Sequence, residues 1–135
     1  MWVGCAAPGT HWGGISESSV PTVSVEVLRA CIDSDPTTFV LDVRTPEEYD
    51  GPLGHIENAR LIPLQELGER LDELNDVKDR HIYIICKGGV RSATATGMLL
   101  NAGFKASNVA GGMRAWQAMN EQEHEMKGSV PNANL

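Results

Sequence analysis

The sequence predicts an α/β domain in which a parallel sheet is covered by helices on both faces. Three observations carry this. Short apolar runs suited to buried strands alternate with helix-period segments over about 100 of the 135 residues. Those runs end at charged, proline or glycine-rich turns, as strand ends do in such sheets. The length and the 41% hydrophobic content suffice for one domain with a real core, without disulfides or a structural metal.

Gly, Ser, Thr and Pro punctuate residues 8–21, so the ordered domain is expected over 20–120, after a flexible leader of 1–19 that is native, truncated or engineered. "SVEVLRACI", 24–32, reads as a helix with Ser24 as N-cap. "TFVLDV", 38–43, reads as a buried strand stopped by charge. "TPEEYD", 45–50, has Thr as cap, Pro at the first helical position and acids in the first turn. "ARLIP", 59–63, is a strand ended by proline, and "LQELGERLDEL", 64–74, puts Leu64, Leu67, Leu71 and Leu74 on one helical face. "HIYIIC", 81–86, is the strongest buried strand. A helix follows its glycines, with Gly103 as αL cap and Phe104 folding back on the last turn. "ASNVAGG", 106–112, gives a strand and turn, "MRAWQAMN", 113–120, a closing helix, and 121–135 a frayed tail.

A formal net charge of −7 argues against nucleic acid or an anionic membrane as the main partner, and no apolar run reaches the ~20 residues of a membrane span. Cys5, Cys31 and Cys86 are widely spaced, with no C-x-x-C pair and no zinc-like cluster. A reducing, cytoplasmic compartment is the simpler reading. "MWVGCAAPG" faintly resembles a lipoprotein cleavage site without a charged n-region or adequate h-region, which leaves a periplasmic location open.

The bend "CKGGVRS", 86–92, is the chemical centre of the sequence. Ligands of open α/β sheets sit at the carboxyl ends of strands, and Cys86 ends one. The helix that follows offers unpartnered N–H groups and positive dipole charge, which stabilise an anion. A thiolate is the nucleophilic form of cysteine, and helix N-termini and nearby Lys or Arg lower the thiol pKa from about 8.5. Gly88 and Gly89 are expected to take positive φ and bring N–H groups close to a bound atom. Arg91, a cation opposing the helix dipole, makes sense if its fork grips an anion held in the loop. The competing reading makes Cys86 a small buried hydrophobe.

With these residues in hand, the chain resembles single-domain members of the rhodanese-like sulfurtransferase family. The resemblance spans Val20 to Trp116 and rests on "CKGGVRS", on "LDVRTPEEY…GHIENARLIP" (41–63) and on "GGMRAW" (111–116). It implies a three-layer fold whose mostly parallel sheet has about five strands. Cys86 would attack a thiosulfate-like donor and carry its sulfur as a persulfide to cyanide or a thiol. The loop residues Lys87, Gly88, Gly89, Val90, Arg91 and Ser92 would bind the anionic donor, and no metal or organic cofactor is needed. Asp42 and Arg44 would brace the loop rather than touch substrate. The chain departs from the family in a longer "DGPL" link before Gly54 and in Asn58, where glycine is common; Asn tolerates αL.

His55 reads as a turn residue rather than a base, His81 as a surface residue, Trp116 and Cys31 as core, and Cys5, His11 and His124 as lying outside the chemistry. Two alternatives stay open. A sulfur-relay module working with a protein donor or acceptor would keep the same loop. A cysteine phosphatase or arsenate reductase would have five residues between Cys and Arg, where this chain has four.

Overall fold

The computed structural model describes residues 20–133, with side chains described for residues 20–125; the expected leader, with Cys5 and His11, lies outside the described residues. In chain order the elements are β1 (Thr22–Val23), α1 (Val25–Ser34), β2 (Phe39–Asp42), α2 (Pro46–Tyr49), β3 (Arg60–Leu61), α3 (Leu64–Leu67), a 3₁₀ helix (Leu71–Val77), β4 (His81–Ile85), α4 (Val90–Asn101), β5 (Lys105–Val109) and α5 (Gly112–Ala133). The described strands form one sheet of five in the order β1-β5-β4-β2-β3, and every ladder is parallel.

Strand alternation sorts the core into two layers. Tyr83 and Ile85 of β4 pack with Val40, Leu28 of α1 and Met113, Trp116 and Met119 of α5. Ile82, Ile84 and the following Cys86 face the other way, onto Leu67, Leu74, Val77 and the Ala95 and Leu99 face of α4. A period of two therefore sends the sulfur of residue 86 to the side on which α4 begins.

Local signals behave as their chemistry requires. The Ser24 hydroxyl caps α1 by accepting from Val27 N–H at 3.1 Å. Thr45 and Glu48 close a reciprocal capping box on α2. Gly103 has φ 90°, and Phe104 N–H donates back to Leu99 O at 2.9 Å. Asn58 adopts φ 71°, so the turn keeps the left-handed geometry that asparagine can replace.

Two expectations need correction. Residues 64–74 are not one helix: α3 ends at Gly68, and a 3₁₀ helix takes over at Leu71. Glycine weakens a helix interior by roughly 1 kcal/mol, and the break still lets Leu67 and Leu74 both reach the core. Residues 121–133 are not frayed; α5 runs on to Ala133. Gln, Glu, Met and Lys favour helix, and Arg29 of α1 ties the extension down, bonding Asn120 and Glu123 at 2.7 Å each. β1 is a strand the sequence reading does not mark, being too short at two residues to show any period.

Candidate active site

The residue after β4 supplies the sulfur, and the first turn of α4 supplies the donors. Gly89, the N-cap, has no side chain to satisfy the orphan amides of α4. Cys86 Sγ takes that role, accepting from Gly89 N–H at 3.1 Å and Ser92 N–H at 3.3 Å, with Ser92 Oγ at 3.2 Å. Burial opposes the charged form of this thiol, yet the Ser92 hydroxyl and the Ser92, Gly89 and Gly88 amides outweigh it, and the pKa lies below the ordinary thiol value. The cradle is thus built for a thiolate.

Its entrance differs from expectation. A reactive thiol needs an opening, yet Cys86 keeps only 1% of its surface and counts among the core. Of the two loop glycines, only Gly89 has positive φ, 110°. Gly88 does not, and a methyl group there would meet nothing within 4 Å, so its Cα faces open space at the rim. Val90 projects beside it with 64% exposure, and Lys87 is exposed.

Arg91 is also corrected. Its fork does not lie free for an anion; Nη1 and Nη2 grip Glu48 Oε1 and Oε2 at 2.8 and 2.9 Å. That pairing holds the Glu48 carboxyl down at about 2. Glu48 therefore serves two elements, capping α2 and anchoring the start of α4. The sequence offered one signal for it, its position in the capping box.

Asp42 and Arg44 form a buried pair, with Arg44 Nε on Asp42 Oδ1 at 2.9 Å and Nη2 on Oδ2 at 2.8 Å. The remaining guanidinium hydrogens reach Glu48 O at 3.1 Å and Gly54 O at 2.7 Å, stapling the end of β2 to α2 and to the link after it.

Two residues escaped the sequence reading. Asn108 of β5 places Oδ1 2.5 Å from Ser92 Oγ, linking the sulfur's hydroxyl partner to the neighbouring strand. Gly112, at φ 58°, brings the backbone so close that a side chain would collide with Cys86 O and the Lys87 carbonyl. Met113 N–H and Arg114 N–H then donate to those two carbonyls at 2.8 and 3.1 Å. The "GGMRAW" motif thus pins the cysteine loop from behind.

Other residues fall away from the sulfur. His55 Nδ1 lies 2.9 Å from Tyr49 O, its ring stacked on Tyr49 at 3.6 Å. His81 is not a surface residue: half-buried beside Ser107 Oγ, it has its pKa pressed to about 4 by burial. Trp116 is core, and Cys31 lies against Tyr83, Sγ to Oη 3.7 Å. His124 lies on the α5 extension. Among the described residues no cluster of His, Cys, Asp and Glu suits a metal ion, and no helix is long and apolar enough to cross a membrane.

A parallel α/β sheet with a thiol seated in a helix N-terminus at a strand's carboxyl end defines a cysteine-loop α/β protein. The rhodanese-like domain profile matches residues 24–119, and the chain belongs to that family. It is 42% identical over 105 residues to the "Putative sulfur carrier protein YrkF" of Bacillus subtilis, covering 77% of this chain but only 55% of that protein. The "Putative sulfurtransferase YtwF" of the same organism is 34% identical over 98 residues, covering 73% of this chain and 91% of the relative. Among solved structures, a rhodanese-like domain protein from Staphylococcus aureus superposes with TM-score 0.64 at 38% identity, covering 70% of this chain and 89% of that one.

Proposed function

We propose that this chain transfers sulfane sulfur through a persulfide on Cys86, from thiosulfate or a similar donor to cyanide or a thiol. One observation supports this above others: three hydrogen-bonding groups converge on Sγ within 3.3 Å. In the first half-reaction the Cys86 thiolate attacks the outer sulfur of thiosulfate. The new S–S bond forms as the donor's S–S bond breaks, and its electron pair leaves with sulfite. In the second, cyanide attacks the terminal sulfur, thiocyanate departs and the thiolate returns to its cradle. This is ping-pong covalent catalysis.

Intact mass spectrometry tests the reading: native protein should gain one sulfur atom with thiosulfate and lose it with cyanide. Cys86→Ser should do neither; sulfite release by that variant would refute the assignment. A second reading, relay of sulfur between proteins, is favoured by the near-complete burial of Cys86 beside the exposed Val90. Slow loading from thiosulfate with fast loading from a persulfidated protein would select it. Phosphatase chemistry is disfavoured by the four-residue interval from Cys86 to Arg91.

A further inference from the structure

A cavity of about 390 Å³ opens in the layer where α1 and α5 pack on the sheet, and it shares no lining residue with the Cys86 loop. Roughly 300–1,000 Å³ is the range of small-molecule sites. Its apolar walls are the buried Val40, Ile56 and Trp116 and the half-buried Ile32. They come from β2, the turn before β3, α5 and α1, so four separate stretches of chain build it.

The polar part of the lining is rich in acceptors and poor in free donors. Asp33 and Glu57 are both exposed, one from α1 and one from the turn before β3. Glu57 has no ion pair among the described residues. Asp33 has only Arg29 Nε at 3.7 Å, beyond hydrogen-bond length. The Thr38 hydroxyl has one hydrogen, which goes to Asp35 O at 2.6 Å or Cys31 O at 3.1 Å, and it keeps lone pairs to accept with. The one cation in the lining, Arg29, is claimed by α5: Nη1 donates to Asn120 Oδ1 and Nη2 to Glu123 Oε1, at 2.7 Å each. Arg29 is thus set against Glu123 and Asp33 together, and Glu57 leaves an uncompensated negative charge on the wall.

We infer that this cavity is a binding site for a small protonated primary amine on an aromatic or branched apolar body. An ammonium brings three hydrogens and no acceptor, which matches walls that offer Asp33, Glu57 and Thr38 oxygens. The apolar body lies against Ile32, Val40, Ile56 and Trp116. An anion would meet two carboxylates, and a neutral apolar molecule would take water from them without replacing its hydrogen bonds. A peptide lysine carries the same ammonium, but its thin methylene stem leaves most of the cavity empty. The ligand class is therefore a free aralkylamine.

The test titrates the full chain with tryptamine, its neutral analogue tryptophol and Nα-acetyllysine amide, followed by backbone amide NMR shifts. Tryptamine is expected to move the amides of Ile32, Val40, Glu57 and Trp116. It should bind about tenfold more tightly than tryptophol, as two exposed carboxylates allow, and more tightly than Nα-acetyllysine amide. Asp33→Asn combined with Glu57→Gln should bring tryptamine down to the tryptophol level and leave tryptophol unchanged, and about 0.5 M NaCl should do part of the same. Ile32→Trp, which fills the cavity, should abolish binding of both indoles; if denaturant midpoints show that protein to be unfolded, the double carboxamide variant decides alone. Unmoved cavity amides, equal affinity for tryptamine and tryptophol, or a double variant that binds tryptamine as before overturns the amine site. Tighter binding of Nα-acetyllysine amide overturns the free-amine class in favour of a peptide lysine. Sulfur loading of Cys86 enters none of these readouts, so the result stands apart from the sulfur-transfer reading.

Discussion

At the scale of single residues, the chemistry turns on where one hydroxyl proton goes. Ser92 Oγ lies within reach of both Cys86 Sγ and Asn108 Oδ1 and has one hydrogen to give. With a thiol, the proton chain can run from sulfur to Ser92 to Asn108. With a thiolate, Ser92 turns its hydrogen to sulfur, and Asn108 must present its amide NH₂ instead. Ser92→Ala removes a donor to the charged form, so the Cys86 pKa should rise. The pH profile of iodoacetamide alkylation should move to higher pH, and Asn108→Asp should move it the same way by adding negative charge. An unmoved profile in both variants would remove the hydroxyl from the account. The linkage sign follows from the depressed folded pKa: the thiolate's contribution to stability is complete above the unfolded value of about 8.5 and lost as pH falls through the folded value.

Glu48 makes a second residue-scale prediction. Glu48→Gln loses the Arg91 pair and weakens the α2 cap, for about 1–2 kcal/mol once solvent screening of these half-exposed groups is allowed for. Because the folded carboxyl titrates at about 2, the pair's contribution is present above about 4.3 and declines as pH falls toward about 2. Urea unfolding of both proteins across that range should show the difference shrinking with acid; a constant difference would assign it to packing.

At the scale of elements, the site is a contact between two helix starts. The α4 amides face the sulfur, while the α5 turn holds the loop from the opposite side through Met113 and Arg114 N–H groups. Gly112 permits that approach, so Gly112→Ala should cost roughly 1–3 kcal/mol from its left-handed backbone alone and displace the loop, with loss of persulfide loading. Gly88→Ala meets open space at ordinary φ and should change stability by less than about 0.5 kcal/mol. Denaturant midpoints of the two variants check the contrast, and equal effects would contradict the geometry.

At the scale of the molecule, the parallel sheet buries both faces, so a charged pair at the end of β2 lies fully inside. Arg44 ties the end of β2 to α2 and to Gly54 through the Glu48 and Gly54 carbonyls. Arg44→Met leaves the Asp42 carboxylate buried without its partner and should cost about 3–5 kcal/mol, measured by chemical denaturation. Replacing both residues by apolar ones should cost less than Arg44→Met alone. The reverse order would show that the pair stabilises the fold by more than mutual compensation.

The chain's own order of residues determined the strand–helix alternation, the caps at Ser24 and Thr45, the αL positions at Asn58 and Gly103, and the cysteine at a strand end before a helix. These depend on neighbours a few positions apart, whose spacing is written in the chain. Tertiary structure alone decided that Arg91 belongs to Glu48, that Asn108 reaches Ser92, that Gly112 pins the loop, that Cys86 is covered, and that Lys87 and Arg114 line one cavity. Each of these pairs residues far apart along the chain, and sheet order and helix placement, which local spacing does not encode, set which of them meet.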